Sequence, residues 1–306
     1  MACALLLVTA ACGDDDDSAS DDTTTTSADT SADTSATEGQ DGDGGAEATS
    51  LELTLTDGAI EGVPEEIPAG LVEMTVTDET DAAGAEVSFT RVEEGTDAET
   101  FTSDILNVFD GGPFPDYFLG TTGGIEQSEF TVEEGSYLVW YDASSNADRE
   151  AAPEDVVVAP LTVTAGTEDA SLPETDGTIT TTDYEFDVDV DIATDGSTFT
   201  LQNDSEEQFH HVVLVDFGDN DPATVEENLP AILESGGDPS TLPEGIDPEQ
   251  IDFDFATSTV YGPGEAGTFD ADFAEGTTYA ALCFIQDRTG GAPHAIQHQM
   301  YEVFQA

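Results

Sequence analysis

Residues 278–300 read TYAALCFIQDRTGGAPHAIQHQM. An apolar run led by Tyr279 has the texture of a strand and ends at Cys283, and the ten residues FIQDRTGGAP then separate that cysteine from His294. His298 and Met300 follow in the same segment. Upstream, FHHVVLVDF (209–217) opens another apolar run with His210 and His211. The chain has four histidines, and all of them fall in these two stretches, beside Cys283 and Met300. Two imidazoles, a thiolate and a weak thioether make the trigonal-plus-axial donor set of a blue-copper site, and sulfur softness favours copper. Strand side chains alternate, so His211 is expected to face away from His210 and to support the ligands from outside the donor set. Plainer roles stand beside these: Cys283 as a small buried hydrophobe, His294 and His298 as idle loop residues, and Met300 as core filling.

The two stretches resemble the cupredoxins, the plastocyanin and halocyanin group of Greek-key β-sandwiches, over roughly the last third of the chain. The resemblance implies that His210, leading His211-Val212-Val213-Leu214, is the first metal ligand. It implies Cys283 as the second, His294 after Pro293 as the third and Met300 as the axial ligand, with His211 and His298 as alternative ligands. The family keeps its cysteine and second histidine only a few residues apart. The longer loop here therefore requires Arg288-Thr289-Gly290-Gly291 to form a bulging turn that folds His294 back beside Cys283.

The rest of the chain extends the same plan. LELTLT (51–56) and LVEMTVT (71–77) alternate apolar and polar residues, the period of a half-buried strand. EVSFTRV (86–92), SYLVWYD (136–142) and VVVAPLTVT (156–164) complete a first half. TFTLQN (198–203), HHVVLVDF (210–217), YAALCFI (279–285) and MYEVFQ (300–305) are the strands of a second. Each half carries one helical segment, 97–109 and 222–233, and Asp221-Pro222 has the form of an N-cap followed by a first-turn proline. FTVEEGSYLVW and FDADFAEGTTYAAL repeat a strand, an acidic-Gly turn and a Tyr, which suggests an internal duplication. The expected fold class is all-β: two Greek-key cupredoxin-like sandwich domains, 50–166 and 167–306, each with one short helix insertion. The first half has no His and no Cys and cannot hold the same metal. DVDVDIATDG (187–196) looks superficially like a calcium loop, but Ile192 stands where the turn needs Gly, so an acidic strand is expected.

MACALLLVTAAC (1–12) resembles a bacterial lipoprotein signal, which implies that Cys12 becomes the lipidated first residue of a mature protein held on the outer face of a membrane. Residues 13–49, rich in Asp, Ser, Thr, Ala and Gly, cannot bury enough apolar surface to offset ordering entropy and read as a disordered acidic tether.

Composition excludes whole classes of function. There are three basic residues, Arg91, Arg149 and Arg288, against 69 acidic ones, a net charge of −66. No phosphate-binding groove, P-loop or arginine finger can be built from that, so nucleic acid and nucleotides are excluded as partners. A surface so acidic is tolerable where salt screens it, which points to a saline habitat. Hydrolase motifs are absent, and four histidines are too few for a trinuclear copper cluster, so an enzyme is not expected. The sequence-level expectation is a surface-anchored copper protein for electron transfer or copper holding, with a basic redox partner. The alternatives are a metal-free binding module of the same shape, and a metal site made of histidines without Cys283.

Overall fold

The computed structural model describes residues 48–56, 58–80, 86–144, 151–166, 171–190, 197–236 and 241–306. The signal-type segment with Cys12 and the tether up to residue 47 lie outside the described residues, as do 191–196 of the acidic stretch. The first half comprises β1 (Thr49–Thr56), β2 (Ala59–Glu61), β3 (Glu66–Pro68), β4 (Gly70–Asp78), β5 (Val87–Val92), α1 (Ala98–Phe109), β6 (Phe118–Gly124), β7 (Gln127–Val132), β8 (Gly135–Asp142) and β9 (Val156–Thr164). β1 thus begins at Thr49, a residue the sequence assigns to the tether. The second half comprises β10 (Gly177–Thr182), β11 (Glu185–Val190), β12 (Ser197–Asn203), β13 (Val213–Asp216), α2 (Pro222–Glu234), β14 (Asp252–Thr257), β15 (Ala266–Ala271), β16 (Thr278–Leu282), α3 (His294–Gln297) and β17 (Tyr301–Gln305).

The two halves repeat one pairing scheme. β1 runs parallel to β4, which pairs antiparallel with β7; β10 runs parallel to β12, which pairs antiparallel with β15. In the opposing sheets, β5 lies between β6 and β8 with β9 beyond, as β13 lies between β14 and β16 with β17 beyond. The tyrosine of the repeated turn has the same job in each half: Tyr137 Oη accepts from Glu133 N at 3.1 Å, and Tyr279 Oη from Ala274 N at 2.9 Å. Such a tyrosine pins the chain where it passes between sheets.

Alternation along the strands sends one row of side chains into each sandwich. Leu51, Leu53 and Leu55 of β1 meet Phe89, Val139 and Leu161 from the opposing sheet. Phe199 and Leu201 of β12 meet Leu214, Tyr279 and Ala281. The helices cover outer faces. Asp97 caps α1 by accepting from Thr100 N at 3.0 Å, and Phe101, Ile105 and Val108 pack on Val92 and Leu138. Asp221 caps α2 through Thr224 N at 2.9 Å, with Pro222 at the first turn, and Val225, Leu229 and Ile232 cover Val215, Ala280 and Leu282.

The halves are joined in one eight-stranded sheet, because β15 of the second pairs with β7 of the first at Gly267 and Phe130. Two carboxylates bridge the same junction. Glu265 Oε2 accepts from Thr121 N of the first half at 2.8 Å and from Gly262 N at 3.0 Å. Burial pushes its carboxyl up to about 7, against the pull of those amides and of Arg91. Gly120 and Gly262 leave room for it, since a Cβ would come 2.4 Å from Oε1 on the former and 2.7 Å from Oε2 on the latter. Glu86 reaches the other way, accepting from Val260 N at 3.2 Å and from the Thr259 hydroxyl, and burial raises its carboxyl too.

Candidate metal centre

β16 ends at Leu282, so Cys283 is the first residue beyond the ladder, at one end of the core of the second half. The chain then makes the bulging turn that the sequence requires. Gly290 N donates to Asp287 O at 2.7 Å, Gln286 bridges to Pro293, and His294 N donates to Ile285 O at 2.8 Å. Gly290 at φ 84° and Gly291 at φ 136° supply backbone that side-chain-bearing residues rarely adopt. His294 opens the one-turn helix α3, an element beyond the single helix insertion expected for this half. Backbone bonds lock the segment: Ala295 N to Cys283 O at 2.8 Å, Met300 N to His294 O at 3.2 Å and Cys283 N to Met300 O at 3.4 Å. Gln299 sits at φ 57°, a left-handed position that costs a non-Gly residue roughly 1 kcal/mol or more.

His210 arrives from the other side. The sequence places it inside a strand from 210, but β13 begins only at Val213, and His210 is held instead by an isolated bridge to Tyr261, with bonds of 3.1 and 2.8 Å. Asn203 fixes that bridge. Its Nδ2 donates to Gln208 O at 2.9 Å and Tyr261 O at 2.8 Å, while Oδ1 accepts from Ser205 N and Oγ. A fully buried amide with its donors and acceptor engaged is a rigid strap.

These paths bring three donors together. Sγ of Cys283 lies 3.6 Å from Nδ1 of His210 and 3.6 Å from Nδ1 of His294, and all three residues are 0% exposed. Their ligand atoms lie within 4.8 Å of one another. Burial, with smaller contributions from neighbouring imidazoles, lowers His210 to about 3. Burial likewise lowers His294 to about 4 against the opposing pull of Asp287, and pushes the Cys283 thiol up to about 12. Both rings are therefore neutral at pH 7, with lone pairs to give, and the buried Nε2 of His210 has no hydrogen-bond partner. A cation at this point would stabilise the thiolate that burial alone disfavours, because metal binding displaces the thiol proton. The donor set and its dryness fit copper. Met300 is fully buried in the same core cluster as Cys283.

His211 and His298, the alternative ligands, stand outside the cluster. His211 Nε2 accepts from Phe284 N at 2.8 Å, which occupies its lone pair and ties it to the residue after Cys283. His298 Nε2 lies 3.2 Å from both carboxylate oxygens of Asp287, and its ring stacks on Tyr184 at 3.7 Å. Asp287 is the hub that sequence reasoning missed, for nothing distinguishes it among 69 acidic residues. It also accepts from Tyr184 Oη at 2.9 Å and Gln297 Nε2 at 2.8 Å, and lies 3.3 Å from His294 Nε2, close enough for attraction though not aligned as a hydrogen bond. Burial pulls its carboxyl upward, but the contacts from His298 and Tyr184 win and hold it below the ordinary value. Replacing Asp287 by Asn keeps the shape and removes the charge beside His294, so copper affinity should fall by about tenfold, the scale for a residue that orients a ligand. Competition titration against a chelator measures this, and an unchanged affinity would reduce Asp287 to a loop-holding role.

No family model matches the sequence, and no curated protein matches it. The strand order of each half, with the His-Cys-His convergence at the end of the second, decides the architecture. The fold is cupredoxin-like. Solved structures similar to the chain include reduced auracyanin from Roseiflexus castenholzii, at 24% identity over 42% of this chain and 93% of that one, TM-score 0.24. Copper nitrite reductase from Nitrosomonas europaea matches at 11% identity over 85% of this chain and 94% of that one, TM-score 0.21. Blue copper oxidase from the same organism matches at 12% identity over 81% and 85%, TM-score 0.23. In this cupredoxin-like chain the donor atoms belong wholly to the second half.

Proposed function

We propose that the second half holds one copper ion through His210, Cys283 and His294, with Met300 as the axial donor, and serves in single-electron transfer or copper holding rather than as an enzyme. The observation that carries this reading is the convergence of two Nδ1 atoms and one thiol sulfur in a site closed to water. When bound, copper supplies a one-electron couple. The chain supplies a dry, rigid pocket, so its ligands need little rearrangement when the charge changes. His294 is fully buried, while His298 is one-quarter exposed and stacked on Tyr184, which gives the site an aromatic route toward the surface. Titration of the full chain with Cu(II) at high salt tests the reading: a strong thiolate-to-copper absorption band supports it. A colourless, folded protein would leave a metal-free binding module.

The same proposal includes attachment to the outer face of a membrane through a lipid on Cys12, and a redox partner with a basic docking patch. The net charge of −66 supports such a partner. Its association rate should fall steeply as salt rises, since long-range attraction is screened. Stopped-flow reduction by a basic cytochrome measures this, and a salt-independent rate would count against charge-guided docking. Membrane fractionation with Cys12→Ser, which should release the protein, tests the anchor.

A further inference from the structure

The first half holds no histidine or cysteine, yet it lies against both stretches that deliver the metal donors. Its segment between α1 and β6 runs along the loop that joins Cys283 to His294. Phe114 N donates to Arg288 O at 2.9 Å, and Gly291 N donates to Gly111 O at 3.1 Å. Gln286 Nε2 donates to Val108 O at 2.6 Å, and Arg288 Nη2 to Phe118 O at 2.8 Å. The approach is close enough that a Cβ on Gly290 would meet Gly111 O at 2.8 Å. On the other side, the Phe114 ring packs 4.8 Å from Phe209, the residue before His210, and the Arg288 guanidinium lies 4.7 Å from the same ring.

Resting on the copper reading above, we propose that the ligand-free half is a positioning element, clamping the long Cys283–His294 loop and Phe209 so that the three donors are held together before metal arrives. A loop of this length left to itself loses considerable conformational entropy on ordering, and that cost would be subtracted from metal affinity. The bonds to Val108, Gly111 and Phe118 move the cost into folding. None of the clamping groups belongs to the donor cluster, so the effect passes through the backbone.

The experiment uses the full chain with Cys3 and Cys12 replaced by Ser, leaving Cys283 as its single thiol. Two properties are read: the rate at which metal-free Cys283 reacts with a disulfide reagent, and the Cu(II) affinity from the thiolate band. Gln286→Ala with Arg288→Ala should speed the thiol reaction and weaken copper binding by about tenfold or more, the scale for lost ligand support. Phe114→Ala, made wholly in the first half, should move both in the same direction; Arg288→Ala alone serves if either fails to give a native near-ultraviolet circular dichroism spectrum. Unchanged thiol rates would overturn the clamp whatever copper does. Faster thiol reaction with unchanged copper affinity would overturn its role in positioning the donors. If no variant and no parent shows a copper band but the thiol rates still rise, the clamp on the loop stands and the copper reading fails.

Discussion

Cys283→Ser should abolish the thiolate-to-copper absorption band and reduce copper binding to the weak level of two imidazoles, while leaving a folded protein. The serine hydroxyl ionises far less readily than a thiol, and the soft donor that favours copper is gone. At a position that is 0% exposed the change is nearly isosteric, so the surrounding packing of Leu214, Ala281 and Met300 persists. Absorption and calorimetric titration of the two proteins measure the difference. Equal copper affinity in the variant would place the metal on histidines alone, and the geometry argues against that outcome: His211 is spent on Phe284 N and His298 on Asp287.

Glu265→Gln should raise stability at pH 8 by about 3 kcal/mol, the free energy of moving a carboxyl from 4.5 to about 7. The sign follows from proton counting. The folded state holds its proton more tightly than the unfolded chain, so the stability contributed by neutral Glu265 is complete below about pH 4.5 and is lost as pH rises through about 7. Gln supplies an oxygen to accept from Thr121 N and Gly262 N without a buried charge. The difference in unfolding free energy between variant and parent should therefore vanish in acid and grow to its full size above neutrality. Denaturant titrations at pH 4.5, 6 and 8 read it directly, and a difference independent of pH would show that Arg91 and solvent already neutralise the carboxylate.

Periodicity made β1 and β4 legible, because each places apolar side chains at every second position against a single core, whereas β8 and β9 stood out as near-continuous apolar runs that face the sandwich core on one side and the α1 cluster on the other. The Asp221-Pro222 cap made α2 legible, whereas Asp97, which the sequence places inside the first helical segment, is the cap of α1 in the structure. β10 was harder to see, being built of Thr and Gly around a single Ile, and β14 alternates over only four residues, while β11 overlaps the acidic strand expected from residue 187. Cys283, His210 and His294 stood out by rarity, whereas Asn203 and Asp287 carry common side chains whose importance exists only once Tyr261 and His298 are beside them. The shortening of β13 has a similar cause. Val212 N donates to the Ser258 hydroxyl rather than to a strand, at 3.0 Å, so the ladder opens just where His210 must turn inward.

The join between β7 and β15 has a consequence for how the chain tolerates cutting. Each of these strands would be the outer strand of its sheet if its half stood alone, presenting a row of unpaired amide and carbonyl groups to any passing chain. In the intact protein each blocks the other's open edge. Severing the connection between β9 and β10 and separating the pieces would therefore create two sticky templates, prone to pair with copies of themselves, from one molecule whose halves had covered each other's edges.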